Sequence, residues 1–218
     1  MKLVIENLSG ERSGQMIFSS VNFSLEEGQA LVVTGSNGSG KSTLLRVIAG
    51  LLNASEGSVL LLDPDLDEET PIPHEFMHYL GHQNALKPAL SVEENLTFWQ
   101  EFCGIPLLGI DDALVKVGLP GIGHLPAAYL SAGQKRRVSI ARLLVSHKPV
   151  WVVDEPTSAL DKASEILFAK LIEQHLGAGG IVIAATHQSL GIDTDNNVHI
   201  RTLNLDENRM SLKEQWVD

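Results

Sequence analysis

The sequence predicts an α/β fold, and three observations carry the prediction. Short apolar runs alternate with longer stretches of helical periodicity, which places a sheet at the centre and packs helices against it. A glycine-rich turn joins one apolar run to a helical pattern, and an acidic pair closes another apolar run much later in the chain. In open α/β sheets both features belong at the carboxyl ends of strands, where ligands bind.

The elements follow in order. Residues 2–6, 16–25 and 29–34 read as strands, the last an apolar run that enters the glycine-rich turn. Residues 41–52 carry the helical pattern that leaves it, and strands follow at 58–62 and 77–81. Between them, residues 63–73 are acidic and proline-rich and read as a solvated loop. From Gln83 to Ser131 there is no strand pattern; helices are expected at 92–103 and 111–117, the first capped by Ser91. Residues 84–135 therefore form a helical subdomain inside a single domain spanning 1–218. A helix at 132–147, a strand at 150–154, a helix at 162–176, a strand at 181–185, a short helix after Gln188 and a strand at 198–203 complete the pattern.

Composition narrows the possibilities. With 218 residues and 44% hydrophobic content the chain can bury a sizeable core. No apolar run approaches the roughly 18 residues of a membrane helix, and the N-terminal segment lacks a secretory apolar region, so a cytoplasmic location is expected. The one cysteine, Cys103, agrees with a reducing compartment. A net charge of −11 argues against nucleic acid as a partner. The basic run Lys135-Arg136-Arg137 has two readings, a solvated helix face or a ligand contact.

The chemistry is concentrated in two places. Gly35-Ser36-Asn37-Gly38-Ser39-Gly40-Lys41-Ser42-Thr43 fits the phosphate-loop pattern GxxxxGK[ST] between a strand and a helix. Glycines let successive N–H groups turn inward onto phosphate oxygens, and the following helix aims its positive end at the same place. Lys41 adds a full charge and the Ser42 hydroxyl is a ligand for Mg²⁺, so a nucleoside triphosphate is the expected substrate. At the end of strand 150–154, Asp154 is placed to hold Mg²⁺ and Glu155 to act as general base on water. His74, His78 and His82 recur every four residues, yet they fall on a strand pattern. There they stand roughly 13 Å apart and cannot share one ion.

Leu130-Ser131-Ala132-Gly133-Gln134 resembles the signature sequence of ATP-binding-cassette (ABC) ATPases. Gln83 resembles that family's Q-loop glutamine, Ser158-Ala159-Leu160-Asp161 its D-loop, and Thr186-His187 its switch-histidine loop, all in the family's order. The resemblance implies a mixed sheet core with an antiparallel β subdomain and a helical subdomain, and Mg²⁺-dependent ATP hydrolysis. It also implies a head-to-tail homodimer in which Ser131, Ala132, Gly133, Gln134 and Asp161 complete the partner's nucleotide site. Gln83 would join Ser42 and Asp154 at the metal, and His187 would join Glu155 and Lys41 in catalysis. Ala132 departs from the family's glycine, and the usual adenine-stacking aromatic is missing. Arg12 lies near that position, and Phe18 reads as core.

Details around these motifs, such as Leu80-Gly81-His82-Gln83 and Thr186-His187-Gln188, resemble the ATP-binding subunits of bacterial cytochrome c maturation. That narrower resemblance implies peripheral attachment to the cytoplasmic face of the inner membrane, through transmembrane haem-handling subunits only. ATP hydrolysis there releases a haem-loaded chaperone; haem binding by this chain is not implied. A lipoprotein-releasing or small-solute transporter would share every catalytic residue, and a soluble non-transport ABC ATPase is the remaining alternative. In ABC transporters the segment holding Phe98 and Trp99 faces a membrane subunit, so those side chains are either partner contacts or subdomain core.

Overall fold

The computed structural model describes residues 1–63, 73–187, 190–192 and 199–207. Most of the acidic loop, Gln188 and Val198 lie outside the described residues, as does most of the segment expected to form the short helix after Gln188.

The strands divide into two sheets. β1 (Lys2–Arg12), β2 (Gln15–Glu26) and β4 (Glu56–Leu62) form an antiparallel sheet in the order β2-β1-β4. β5 (Met77–Leu80), β6 (Val150–Asp154), β7 (Ile181–Ala185), β3 (Gln29–Thr34) and β8 (His199–Asn204) form a parallel sheet in the order β5-β6-β7-β3-β8. The helices are α1 (Lys41–Ile48), α2 (Val92–Cys103), α3 (Ile110–Lys116), α4 (Ala132–Val145) and α5 (Lys162–Gly177).

Side-chain alternation along the parallel strands sorts the core into two layers. On one face Leu31, Val33, Val150, Val152, Ile181 and Ile183 pack with Leu44, Leu45 and Ile48 of α1 and with the antiparallel sheet. On the other, Ala30, Trp151, Val153, Val182 and Ala184 pack with residues of α2, α3, α4 and α5. Because the strands run parallel, the loops leaving β3, β5, β6 and β7 emerge along one edge. Register pairs Val33 with Ala185 and Ala185 with Asp154 across that edge.

Several boundaries differ from the sequence pattern for local reasons. β1 runs on to Arg12 through register shifts, with Asn7 at φ +46°. Helix α1 stops at Ile48, because Gly50 adopts φ +69° and the following N–H groups turn back to the Arg46 and Val47 carbonyls. α4 stops at Val145, where Ser146 becomes extended. The Ser91 cap is present, its hydroxyl accepting from the Glu94 N–H at 3.0 Å while Glu94 Oε2 accepts from the Ser91 N–H at 2.7 Å. Among the described residues no helix is long and apolar enough to cross a membrane.

The histidine repeat is structural. His74 and His82 are exposed, while His78 is buried in β5 with Nε2 at 3.0 Å from the Ser146 carbonyl oxygen. No cluster of three metal-ligating side chains occurs among the described residues. His175 stacks on Trp151, centroids 3.9 Å apart and rings 10° from parallel. Burial lowers both His78 and His175 from 6.5 to about 4, against the opposing pull of their backbone hydrogen bonds. Each ring therefore protonates more readily in the unfolded chain. Their contribution to stability is whole above pH 6.5 and is lost as pH falls from 6.5 to about 4. Denaturant titrations across that window should show stability falling with acidity, and falling less steeply in a His78→Gln, His175→Gln double variant; equal slopes would contradict the assignment.

Candidate active site

The glycine-rich loop is shaped by contacts that exclude side chains. Gly40, the residue before α1, sits at φ +104°, and a Cβ there would lie 2.5 Å from Ile17 Cγ2 on the β2 strand. No side chain caps α1, so its first N–H groups face the loop's concavity as anion donors. Lys41 is buried, and its Nζ donates to the carbonyls of Gly35 at 2.8 Å and Ser36 at 3.1 Å. No carboxylate forms a salt bridge with it among the described residues, which leaves the ammonium charge available to a phosphate.

Asp154 shares the alternation of Val150 and Val152, so its side chain faces α1. The Ser42 hydroxyl donates to Asp154 Oδ1 at 3.1 Å, and the buried Oδ2 has no hydrogen-bond partner among the described residues. A buried carboxylate oxygen left over beside a hydroxyl is an oxygen-only donor set, which fits a hard cation such as Mg²⁺. Gln83, expected at the same metal, stands exposed in the loop after β5 and makes no hydrogen bond among the described residues.

Glu155 follows β6 in the left-handed region, φ +46°, a conformation held by its N–H donating to the Ala185 carbonyl at 2.9 Å. Its Oε1 lies 3.6 Å from His187 Nε2. The His187 loop is tied to β3 by the Thr186 N–H, which donates to the Val33 carbonyl at 3.3 Å.

The peptide units under this pair are clamped by Arg136, and here the solvated-face reading of Lys135-Arg136-Arg137 is corrected. Arg136 is 1% exposed. Its guanidinium donates to four carbonyls: Gly81 at 2.7 Å, Asp154 at 3.1 Å, Glu155 at 2.7 Å and Pro156 at 2.9 Å. Burial lowers its pKa to about 10, partly offset by Asp154 and Glu155, so the group stays charged at neutral pH. Sequence reasoning missed this residue because carbonyl acceptors leave no acidic partner to find.

The signature residues lie on the other side of the sheet from α1. Ser131 caps α4 by accepting from the Gln134 N–H at 3.2 Å, and Gln134 Oε1 accepts from the Ser131 N–H at 2.9 Å. Ser131 and Ala132 are exposed, so the extra methyl of Ala132 meets no close packing. Gly133 is the position without room, since a Cβ there would lie 3.0 Å from the Ala159 carbonyl oxygen. Asp161 caps α5, accepting from the Ser164 N–H at 2.8 Å, and that hydrogen bond holds its carboxyl below the ordinary range. No hydrogen bond links residues 131–134 to loop 35–43 of the same chain. Phe18 is core, 2% exposed against Gly10, and Arg12 is exposed at the end of β1.

Replacing Arg136 by Ala would strand four carbonyls, those of Asp154 and Pro156 buried and those of Gly81 and Glu155 partly so. The expected cost is about 3–5 kcal/mol of folding stability, with loss of ATP hydrolysis, measured by chemical denaturation and phosphate release. An Ala variant within 1 kcal/mol of the native chain would refute the clamp.

Residues 18–158 match the family model described as ABC transporter. A cytochrome c biogenesis ATP-binding export protein, CcmA, from Mesorhizobium japonicum is 58% identical over 88% of this chain and 95% of its own. The CcmA of Brucella abortus is 56% identical over 94% and 96% of the two chains. Among solved structures, an ABC transporter ATP-binding protein from Pyrococcus furiosus superposes with TM-score 0.79 at 26% identity, covering 95% of this chain and 98% of that one. A bacterial ABC transporter cassette solved as a dimer gives 0.71 at 25% identity, with 93% and 94% covered. The chain belongs to the ABC transporter family, as a nucleotide-binding ATPase subunit.

Proposed function

We propose that this chain is the ATPase subunit of a bacterial membrane complex serving cytochrome c biogenesis, and that two copies work as a homodimer beneath transmembrane haem-handling subunits. The observation that carries the pathway is the identity of 55–58% with relatives named for that process, extending over most of both chains. Attachment to the cytoplasmic face of the inner membrane through those subunits follows from the same reading.

In this reading Gly35 to Thr43 binds the triphosphate, with Lys41 on its terminal phosphates. Ser42 and Asp154, joined by Gln83, would hold Mg²⁺, which when bound would supply positive charge against the phosphate oxygens. Glu155 accepts a proton from the attacking water as general base. His187, 3.6 Å from the Glu155 carboxylate, orients that carboxylate and contacts the terminal phosphate. Ser131, Ala132, Gly133, Gln134 and Asp161 face the partner subunit's nucleotide; the exposure of Ser131, Ala132 and Asp161 at helix starts, away from loop 35–43, supports the arrangement. The similar cassette solved as a dimer supports it further.

Residues 84–135 act as the helical subdomain that meets the membrane subunits. Phe98 and Phe102 of α2 are 46% and 72% exposed and stack at 5.9 Å, a partner-facing aromatic pair. Trp99 instead lies under the Arg142 guanidinium at 3.6 Å and belongs to the subdomain's packing.

Glu155→Gln should lower phosphate release by about 10²–10⁴-fold while ATP binding persists; normal hydrolysis would remove Glu155 from its role. Purification of the subunit from native membranes, with mass spectrometry and absorption spectra, tests the pathway. Haem-handling membrane subunits are the expected partners, and an unrelated permease without haem would replace the pathway and leave the ATPase intact.

A further inference from the structure

Beyond the family's motifs, the C-terminal end of the described chain reaches the phosphate loop. β8 pairs in parallel with β3, bringing Asn204 level with Thr34, the last residue before the loop. Leu205 is buried in the core at 1% exposure, and the Asp206 N–H donates to Asn204 Oδ1 at 3.0 Å where the strand gives way to a helical start at residues 205–207. That start places the Asp206 carboxylate on Ser36. The Ser36 N–H donates to Asp206 Oδ2 at 2.6 Å and the Ser36 hydroxyl donates to Oδ1 at 2.9 Å.

The peptide group that Asp206 engages is the one that Lys41 engages from the other end. In a trans peptide C=O and N–H point opposite ways. The Gly35 carbonyl accepts from Lys41 Nζ at 2.8 Å while the Ser36 N–H donates to Asp206. One amide dipole is thus held between an ammonium at its oxygen and a carboxylate at its N–H, and charge-assisted hydrogen bonds at both ends polarise and strengthen one another. Gly35 has φ +142°, a conformation that rotates easily in a glycine, so this peptide plane needs an external hold.

We propose that Asp206 is a positioning residue for nucleotide binding: through the Gly35–Ser36 peptide it fixes the carbonyls that orient the Lys41 ammonium toward phosphate. The proposal rests on the reading that Lys41 contacts the nucleotide's phosphates. It makes β8 and the residues that follow it part of the nucleotide site, with Asp206 acting on the nucleotide through Lys41.

A double-mutant cycle in the full chain tests it, with ATP affinity measured by titration calorimetry in EDTA so that hydrolysis is suppressed. Asp206→Ala should weaken ATP binding about tenfold when Lys41 is present and less than twofold in a Lys41→Ala background. Asp206→Asn, which keeps an acceptor for the Ser36 N–H without the charge, should remain within about threefold of the native chain. An equal loss from Asp206→Ala in both backgrounds, or an Asn variant as weak as the Ala variant, would overturn the proposal. If Lys41→Ala alone left ATP affinity unchanged, the phosphate-contact reading itself would fall.

Discussion

A buried arginine bonded only to carbonyl oxygens holds the catalytic edge together. Arg136 rises from α4 and reaches the backbone of Gly81, Asp154, Glu155 and Pro156, so one side chain joins the signature helix to the loops that follow β5 and β6. Burying a guanidinium is unfavourable unless its donors are satisfied, and satisfying them here requires those peptide units to stand at fixed angles. The carbonyls that meet this need belong to the residues carrying the acidic pair. Through these four hydrogen bonds Arg136 connects α4 directly to the backbone of Asp154 and Glu155 and to Gly81, two residues before Gln83.

The sheet edge works because each layer supplies a different kind of group. The α1 layer brings backbone N–H donors, Lys41 and Ser42, whereas the α4 layer brings exposed, capped helix starts. Between them the parallel strands end in carboxylates and His187. Positive groups lie toward one face and the Glu155–His187 pair sits in the middle, an order suited to receiving a polyanion. A net charge of −11 makes this local concentration of donors more important, since the chain as a whole repels anions.

Legibility in the sequence followed the range of the interaction. β6 and β7 were readable within their own windows because fully buried parallel strands are uninterrupted apolar runs, and the apolar centre of β3, Ala30 to Val33, was readable in the same way. The phosphate loop was readable because its glycines answer local backbone demands. Helix ends were less so: Gly50 stops α1 inside a run that still looks periodic, and Ser146 leaves α4 to meet His78, 68 residues away in the chain. Arg136 and Asp206 were illegible: the run holding Arg136 fitted a solvated face or a ligand contact equally, and no pattern marked Asp206. Their partners are backbone groups brought close by the fold, and backbone groups carry no sequence signal.

The left-handed backbone of Glu155 sets stability against turnover at a single position. Holding a non-glycine residue there costs on the order of 1–2 kcal/mol, which glycine would not incur. Selection for thermal resistance alone would therefore favour a glycine at this position, a cassette that folds better and lacks the carboxylate proposed as its base. Retention of glutamate measures how far the working enzyme lies from the sequence that folding alone would choose.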